Sequence, residues 1–167
     1  HDVSDGGLAV TLAEMGFAGR QGIAVDLSTL SDDPLAAAFA EELGVVLQVA
    51  DEALEAVQTA VEAAGLEQRF YRLGRPIAAE HLVIRHHGAV VLDKALGELE
   101  QAWHETSYHM QARRDDPDCA GEAHQALADR DDPGLRAVLS FDPSEDPAAA
   151  MVNTGVRPRV AVLREQG

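Results

Sequence analysis

The chain opens on His1-Asp2-Val3-Ser4-Asp5-Gly6-Gly7-Leu8, a stretch of acids, a hydroxyl group and two glycines that leads directly into a helical pattern. Two adjacent glycines let the backbone approach an anion closely, and the start of a helix offers unpaired N–H groups and the positive end of its dipole. Carboxylates do not bind phosphate themselves, but they hold Mg²⁺, which neutralises phosphate oxygens. The stretch therefore indicates either a phosphate and metal site or an ordinary turn in which Asp5 caps the helix.

The segments that follow alternate between helix and strand. Apolar residues at helical spacing predict a helix over about 5–18, and a short β-branched run predicts a strand over 22–27. The capped start at Asp33-Pro34 predicts a short helix that continues through Leu43. Residues 44–49 are almost continuously apolar, which favours a central strand covered on both faces.

The middle of the chain repeats this alternation. A helix is predicted from Asp51 to Gly65, where a glycine ends the apolar stripe. Strands are predicted over 70–73, 81–85 and 89–92, the last two joined by a turn at 87–88, and a long helix over 94–114. About five strands interleaved with helices predict a layered α/β domain.

Beyond Asp115 the composition changes to repeated Asp-Pro and Asp-Asp-Pro turns, interrupted by a short Ala-rich helix near 121–129. This pattern predicts an extended Pro/Asp-rich connector. Residues 159–163 then have the pattern of a strand that begins close to the last residue. A strand in that position, and a first residue that is not Met, favour a chain cut from a longer protein.

Composition narrows the classes of partner. The chain has 13 basic and 29 acidic side chains and a formal net charge of −16, which disfavours nucleic acid and anionic membranes as partners. An acidic nucleotide would need a metal ion or backbone N–H groups to bind such a protein. Cys119 is the only cysteine, so no internal disulfide and no cysteine-based zinc site can form. We therefore expect a reducing, cytoplasmic location, and no apolar run has the length of a membrane span.

Two motifs have competing interpretations. His104 and His109 suggest a zinc-protease helix, but they are five residues apart, whereas a shared metal requires a spacing of four. Glu41 and Glu42 lie where a helix is predicted to give way to a strand. They could face a ligand cleft beside the sheet or be ordinary solvated acids, and the sequence leaves both open.

Further sequence blocks join the opening stretch in a fixed order. They are Thr-Leu-Ala-Glu-Met at 11–15, Glu-Glu-Leu-Gly at 41–44, Glu-Thr-Ser-Tyr with Met-Gln at 105–111, Asp-Pro-Asp-Cys-Ala at 116–120, Asp-Pro-Gly-Leu at 132–135, Ser-Phe-Asp-Pro at 140–143 and Arg-Pro-Arg-Val-Ala-Val-Leu-Arg-Glu-Gln-Gly at 157–167. Together they resemble the large single-chain formylglycinamide ribonucleotide amidotransferases (phosphoribosylformylglycinamidine synthases) of purine biosynthesis. The first block alone resembles the wider aminoimidazole ribonucleotide synthetase superfamily.

The resemblance implies a fold and a domain order. Residues 1–115 would form a layered α/β sandwich like the C-terminal domain of aminoimidazole ribonucleotide synthetase. Residues 116–157 would be the connector, and 158–167 the first strand of a truncated class I glutaminase domain. The implied partners are the preceding synthetase-like half-unit and the following glutaminase domain of the same polypeptide.

The resemblance also implies an activity and a site. These ligases use ATP and glutamine to convert formylglycinamide ribonucleotide to the amidine, and their catalytic residues would lie outside this chain, which alone would be inactive. By motif match, Asp2 is the counterpart of a Mg²⁺ ligand, and Ser4 of a residue that contacts an auxiliary ATP or ADP. Two positions qualify the match: Ala40 stands where the family usually has Asn, and Cys119 matches a connector cysteine, not the glutaminase nucleophile. The alternative is a non-catalytic structural or interaction module that binds no ligand.

Overall fold

A computed structural model describes residues 1–132, 134, 137–152, 154–155 and 159–163. The chain divides into two compact units, His1–Asp132 and Pro133–Gly167. In the described part of the second unit, the only helix is a 3-10 turn at Ala149–Met151. No helix within the described ranges is both long enough and apolar enough to cross a membrane.

The first unit contains five α-helices and four β-strands. In chain order they are α1 (Gly7–Gly19), β1 (Gly22–Asp26), α2 (Pro34–Phe39), α3 (Leu54–Ala63), β2 (Gly74–Ile77), β3 (His81–His86), β4 (Ala89–Ala95), α4 (Leu96–Arg114) and α5 (Pro117–Ala126). Short 3-10 turns precede α3 at Asp51–Ala53 and follow it at Glu67–Arg69.

The strands form one sheet in the order β2-β1-β3-β4. β1 runs parallel to β3 and antiparallel to β2, and β3 and β4 form an antiparallel hairpin. The hairpin turn places His87 at φ 48 and Gly88 at φ 79, as a two-residue turn with left-handed residues requires.

The core lies between one face of the sheet and the helices α1, α2 and α4. Its most buried members include Leu12 of α1, Leu82 and Ile84 of β3, and Leu96 at the start of α4. Aliphatic side chains supply this core, as the low aromatic content predicts. It fixes α1, and so the loop before it, against the sheet.

The layered α/β class is confirmed. The helix predicted over 5–18 is α1, the strands predicted over 22–27 and 81–85 are β1 and β3, and the long helix predicted over 94–114 is α4. The helix predicted between 51 and 65 is also present, and Gly65 follows it at φ 69.

The predicted central strand over 44–49 is wrong. These residues make only an isolated bridge, between Asp2 and Val45. Three hydrogen bonds flank it: Val46 N donates to the His1 carbonyl at 2.7 Å, Val3 N to the Gly44 carbonyl at 2.8 Å, and the His1 amino group to the Val46 carbonyl at 2.9 Å. No strand among the described residues pairs with the other edge. Val45 and Leu47 are 68% and 62% exposed, whereas Val46 packs against the core, so the apolar run is covered on one face only.

Two boundaries and the number of strands also differ from prediction. α2 ends at Phe39 and not at Leu43, because Ala40 already has an extended backbone. The strand predicted at 70–73 begins only at Gly74, and the sheet has four strands in the described chain where five were expected. β2 lies at the sheet edge, where Pro76 is tolerated because its missing N–H leaves no internal hydrogen bond unmade.

The C-terminal predictions have mixed outcomes. The Ala-rich helix starts earlier than expected, at Pro117, because the Asp116 side chain caps it by accepting from two backbone N–H groups. Residues 159–163 pair with no strand among the described residues, and the strand expected there, as the start of a following glutaminase domain, stays a prediction. Residues 158 and 164–167 of the predicted glutaminase strand lie outside the described residues. The predicted domain boundaries stay predictions.

Candidate functional site

The two glycines before α1 both have left-handed backbones, with φ 82 at Gly6 and φ 67 at Gly7. Gly6 is the N-cap residue of α1 and no side chain caps the helix, so the Asp5 cap, part of one of the two alternatives for this stretch, is not formed. The helix begins at Gly7, so its N-cap position falls on Gly6, one residue after Asp5. A β-carbon at Gly7 would lie 2.7 Å from the carbonyl carbon of Phe39. Gly7 is thus required by the close approach of α2.

The N–H group of Gly6 already has an anionic partner within the chain. It donates to Oε1 of Glu41 at 2.9 Å, which brings a carboxylate from just beyond α2 to the start of α1. A negative charge is stabilised at this end of a helix by the dipole and the free N–H groups. Glu41, although exposed, therefore contacts the opening loop, and this loop can hold an anionic oxygen. The choice between a ligand cleft and ordinary solvated acids stays open for Glu41 and Glu42.

Asp2 and Ser4 lie in the opening loop, which we define as residues 1–6. The Asp2 side chain is 84% exposed, and its Oδ1 lies 3.7 Å from Nδ1 of His1. Ser4 is also exposed, and its carbonyl accepts from Gly7 N at 2.9 Å. The structure thus leaves a carboxylate and a hydroxyl accessible within one short loop beside a helix start.

The chemistry of these donors fits a hard divalent cation in part. Mg²⁺ takes carboxylate and hydroxyl oxygens but keeps several further ligands in octahedral geometry. Among the described residues no group of three or more His, Cys, Asp or Glu side chains could hold a metal ion. Asp2 can therefore be one ligand of such an ion only if other ligands come from outside these residues or from a nucleotide.

One contact of the opening loop was not predicted. Glu14 of α1 lies 3.0 Å from Nε2 of His1 and also accepts a hydrogen bond from Nε1 of Trp103 at 2.9 Å. Trp103 packs edge-on against Phe17, with ring centroids 6.2 Å apart. Glu14 thereby connects the loop to α4. Residues 89 positions apart make this contact, so no local pattern in the sequence could have revealed it.

The two histidines of α4 do not meet. His104 lies across from α5, with its Nδ1 3.4 Å from Nδ1 of His124, whereas His109 lies 3.8 Å from Glu105 on the same helix. The five-residue spacing does place them on different faces, so the argument against a zinc-protease helix holds. Cys119 is exposed at the start of α5.

One sequence comparison bears on this site. The family described as AIR synthase related protein, C-terminal domain, matches residues 1–87, just over half of the 167 residues. The matched range begins with the opening loop and runs through α1, α2 and α3 to the end of β3.

Proposed function

The chain belongs to the AIR synthase related C-terminal domain family, and from this we propose that it is part of an ATP-utilising ligase, a phosphoribosylformylglycinamidine synthase. Such an enzyme joins ammonia from glutamine to formylglycinamide ribonucleotide, with ATP converted to ADP and phosphate. The match over 1–87 supports the synthetase-like part of this proposal. The sequence blocks from 105 to 167 support the specific enzyme.

The proposed role of this chain is an auxiliary Mg²⁺-nucleotide subsite at the opening loop. Asp2 would supply one carboxylate ligand to Mg²⁺, and the Ser4 hydroxyl would contact the nucleotide. The observation that carries the proposal is the exposed pair Asp2 and Ser4 beside the start of α1. Mg²⁺ there would offset the repulsion between nucleotide phosphates and a strongly acidic chain.

The proposed partners are the preceding synthetase-like half-unit and the following glutaminase domain. Five large apolar side chains on both sides of Glu41 in the sequence support a neighbouring domain at this place. They are Leu35, Phe39, Leu43, Val45 and Leu47, each more than half exposed. A covering domain would remove these side chains from water, which stabilises an interface. The catalytic residues would belong to these neighbours, so the isolated chain should show no ligase activity.

Calorimetric titration of Mg²⁺-ADP into the protein that carries the preceding half-unit tests the subsite. Asp2→Asn keeps the side-chain shape and removes the negative charge, and we expect it to weaken Mg²⁺-dependent ADP binding by about tenfold or more. Asp32→Asn is the matched control, because Asp32 is fully exposed and its one ion-pair contact is with His87 at 3.9 Å. Equal binding by wild type and Asp2→Asn would refute the role of Asp2.

A structural or interaction module without a ligand is the second candidate. The hydrogen bond from Gly6 N to Glu41 favours this candidate, because it gives the Gly6 N–H group an acceptor without any external anion. The same titration separates the two candidates. If no protein in the series binds Mg²⁺-ADP, the structural module is the correct description.

A further inference from the structure

A pocket of about 370 Å³ opens on the face of the sheet that turns away from α1. Side chains alternate between the two faces along a strand. Val25 and Ile84 point into the core beside α1, so their neighbours Asp26 and Arg85 occupy the opposite face. The pocket therefore shares no residue with the opening loop.

Paired residues of three neighbouring strands line the pocket. Ala24 of β1 pairs with Arg75 of β2, and Asp26 of β1 pairs with Arg85 of β3. A β-carbon at Gly74 would overlap the carbonyl oxygen of Ala24, so only glycine lets β2 lie this close to β1. The small side chain of Ala24 leaves open space between the longer ones.

Three arginines line this pocket: Arg72 just before β2, Arg75 within it and Arg85 in β3. In the part of the chain that the structure describes, none of the three guanidinium groups has a hydrogen bond or ion pair with a protein acceptor. By contrast, Arg130 binds the carboxylates of Glu80 and Glu100. All three arginines are exposed, so their N–H donors are accessible to a ligand.

One carboxylate, that of Asp26, also lines the pocket. Its Oδ1 accepts hydrogen bonds from both the hydroxyl and the backbone N–H of Ser28. These two bonds, with smaller contributions from His86 and His87, hold the pKa of Asp26 below its ordinary value. The pocket thus presents three guanidinium groups and one carboxylate. The second oxygen of this carboxylate remains available to accept a hydrogen bond from a ligand hydroxyl.

We propose that this pocket binds a small phosphate monoester that carries a hydroxyl group. Guanidinium groups bind phosphate through paired N–H donors in a fixed fork, and a phosphate has enough oxygens for several forks at once. The phosphate is bound by the guanidinium groups of Arg72, Arg75 and Arg85. Asp26 accepts a hydrogen bond from the hydroxyl group of the ligand. The site goes beyond the proposed Mg²⁺-nucleotide subsite and does not depend on it.

The test is an NMR titration of the 167-residue chain with glycerol 3-phosphate and, separately, with inorganic phosphate, at constant ionic strength held with chloride. We expect saturable shifts of the Ala24, Gly74 and Arg85 amide signals, with glycerol 3-phosphate the tighter ligand because of its hydroxyls. Arg75→Gln should weaken its binding by about tenfold. Arg85→Gln should weaken the binding by a similar factor. Because Arg75 and Arg85 lie in different strands, the same loss in both variants would not come from one local folding defect.

Arg113→Gln is the matched control, because it removes the same charge from an exposed position on α4. Binding should be unchanged in this variant and in Asp2→Asn, which separates the pocket from the opening loop. Shifts that rise linearly without saturation, or equal weakening by Arg113→Gln, would show general charge screening and overturn the proposal. Equal affinity for glycerol 3-phosphate and inorganic phosphate would refute the proposed hydrogen bond between the ligand hydroxyl and Asp26. Concentration-dependent self-association that Arg75→Gln abolishes would identify an acidic protein surface as the occupant and overturn the proposal too.

Discussion

Replacing Gly7 by alanine tests whether this glycine of the pair serves the packing of α1 on α2. Gly7 has φ 67, and an added β-carbon would lie 2.7, 2.8 and 2.9 Å from the carbonyl carbon, Cα and carbonyl oxygen of Phe39. These are backbone atoms, so no side-chain rotation can relieve the contact. Either the end of α2 or the start of α1 must move.

Gly65→Ala provides a matched control. Gly65 has φ 69, nearly the value of Gly7, but nothing lies within 4 Å of the β-carbon it would gain. A left-handed alanine costs about 1–2 kcal/mol, and this is the whole expected effect of Gly65→Ala. The steric conflict at Gly7 should add about 1–3 kcal/mol, the usual cost of overpacking. Gly7→Ala should therefore lower the free energy of unfolding by about 2–5 kcal/mol.

Urea unfolding followed by far-UV circular dichroism measures both variants against wild type. The difference between the two alanine variants isolates the contact with Phe39, because the backbone penalty is common to both. If Gly7→Ala and Gly65→Ala lose the same stability, the contact with α2 does not constrain Gly7. The glycine pair would then need another explanation, such as the close approach of a ligand.

Three further changes have expected outcomes. Leu96→Ala should destabilise the fold by about 3 kcal/mol because Leu96 is fully buried, whereas Leu43→Ala should be nearly neutral in urea unfolding because Leu43 is fully exposed. Asp116→Ala should cost about 1 kcal/mol by removing the cap of α5, and an unchanged urea midpoint would contradict the cap. Because the folded pKa of Asp26 is lowered, its hydrogen bonds stabilise the fold above the ordinary value of 3.8, and this contribution is lost as the pH falls through the folded pKa. Ser28→Ala should raise that pKa and reduce this acid-side loss, as an NMR titration of the Asp26 carboxyl carbon would show; an unchanged pKa would refute the assigned cause.

Local sequence patterns were sufficient for the elements whose stabilising contacts repeat along the chain. α1 and α4 follow from helical spacing of apolar residues, and the β3–β4 hairpin follows from a turn at His87-Gly88 between β-branched runs. These signals lie within a few residues of the structure that they specify. The α/β class follows from their order.

Two of the errors depend on residues that are distant in sequence. The run 44–49 is apolar enough for a central strand, but a strand needs neighbours on both edges to be central. In the described chain one edge pairs with the opening loop and the other has no strand. In the same way, the close approach of β2 to Ala24 requires a glycine at position 74, a condition that only the folded sheet imposes.

The contact between Gly6 and Glu41 constrains how a nucleotide could use the opening loop. The Gly6 N–H already donates to a carboxylate at 2.9 Å, so a phosphate oxygen at the same N–H would have to displace Glu41 against the repulsion of like charges. A Mg²⁺ ion held by Asp2 avoids this conflict, since it attracts both the carboxylates and the phosphate. In the proposed subsite the nucleotide therefore meets the loop through the metal and the Ser4 hydroxyl, while Gly7 serves the packing of α1 on α2. This division of roles requires that Gly7→Ala lower stability, and that Asp2→Asn lower Mg²⁺-ADP binding with little change in stability.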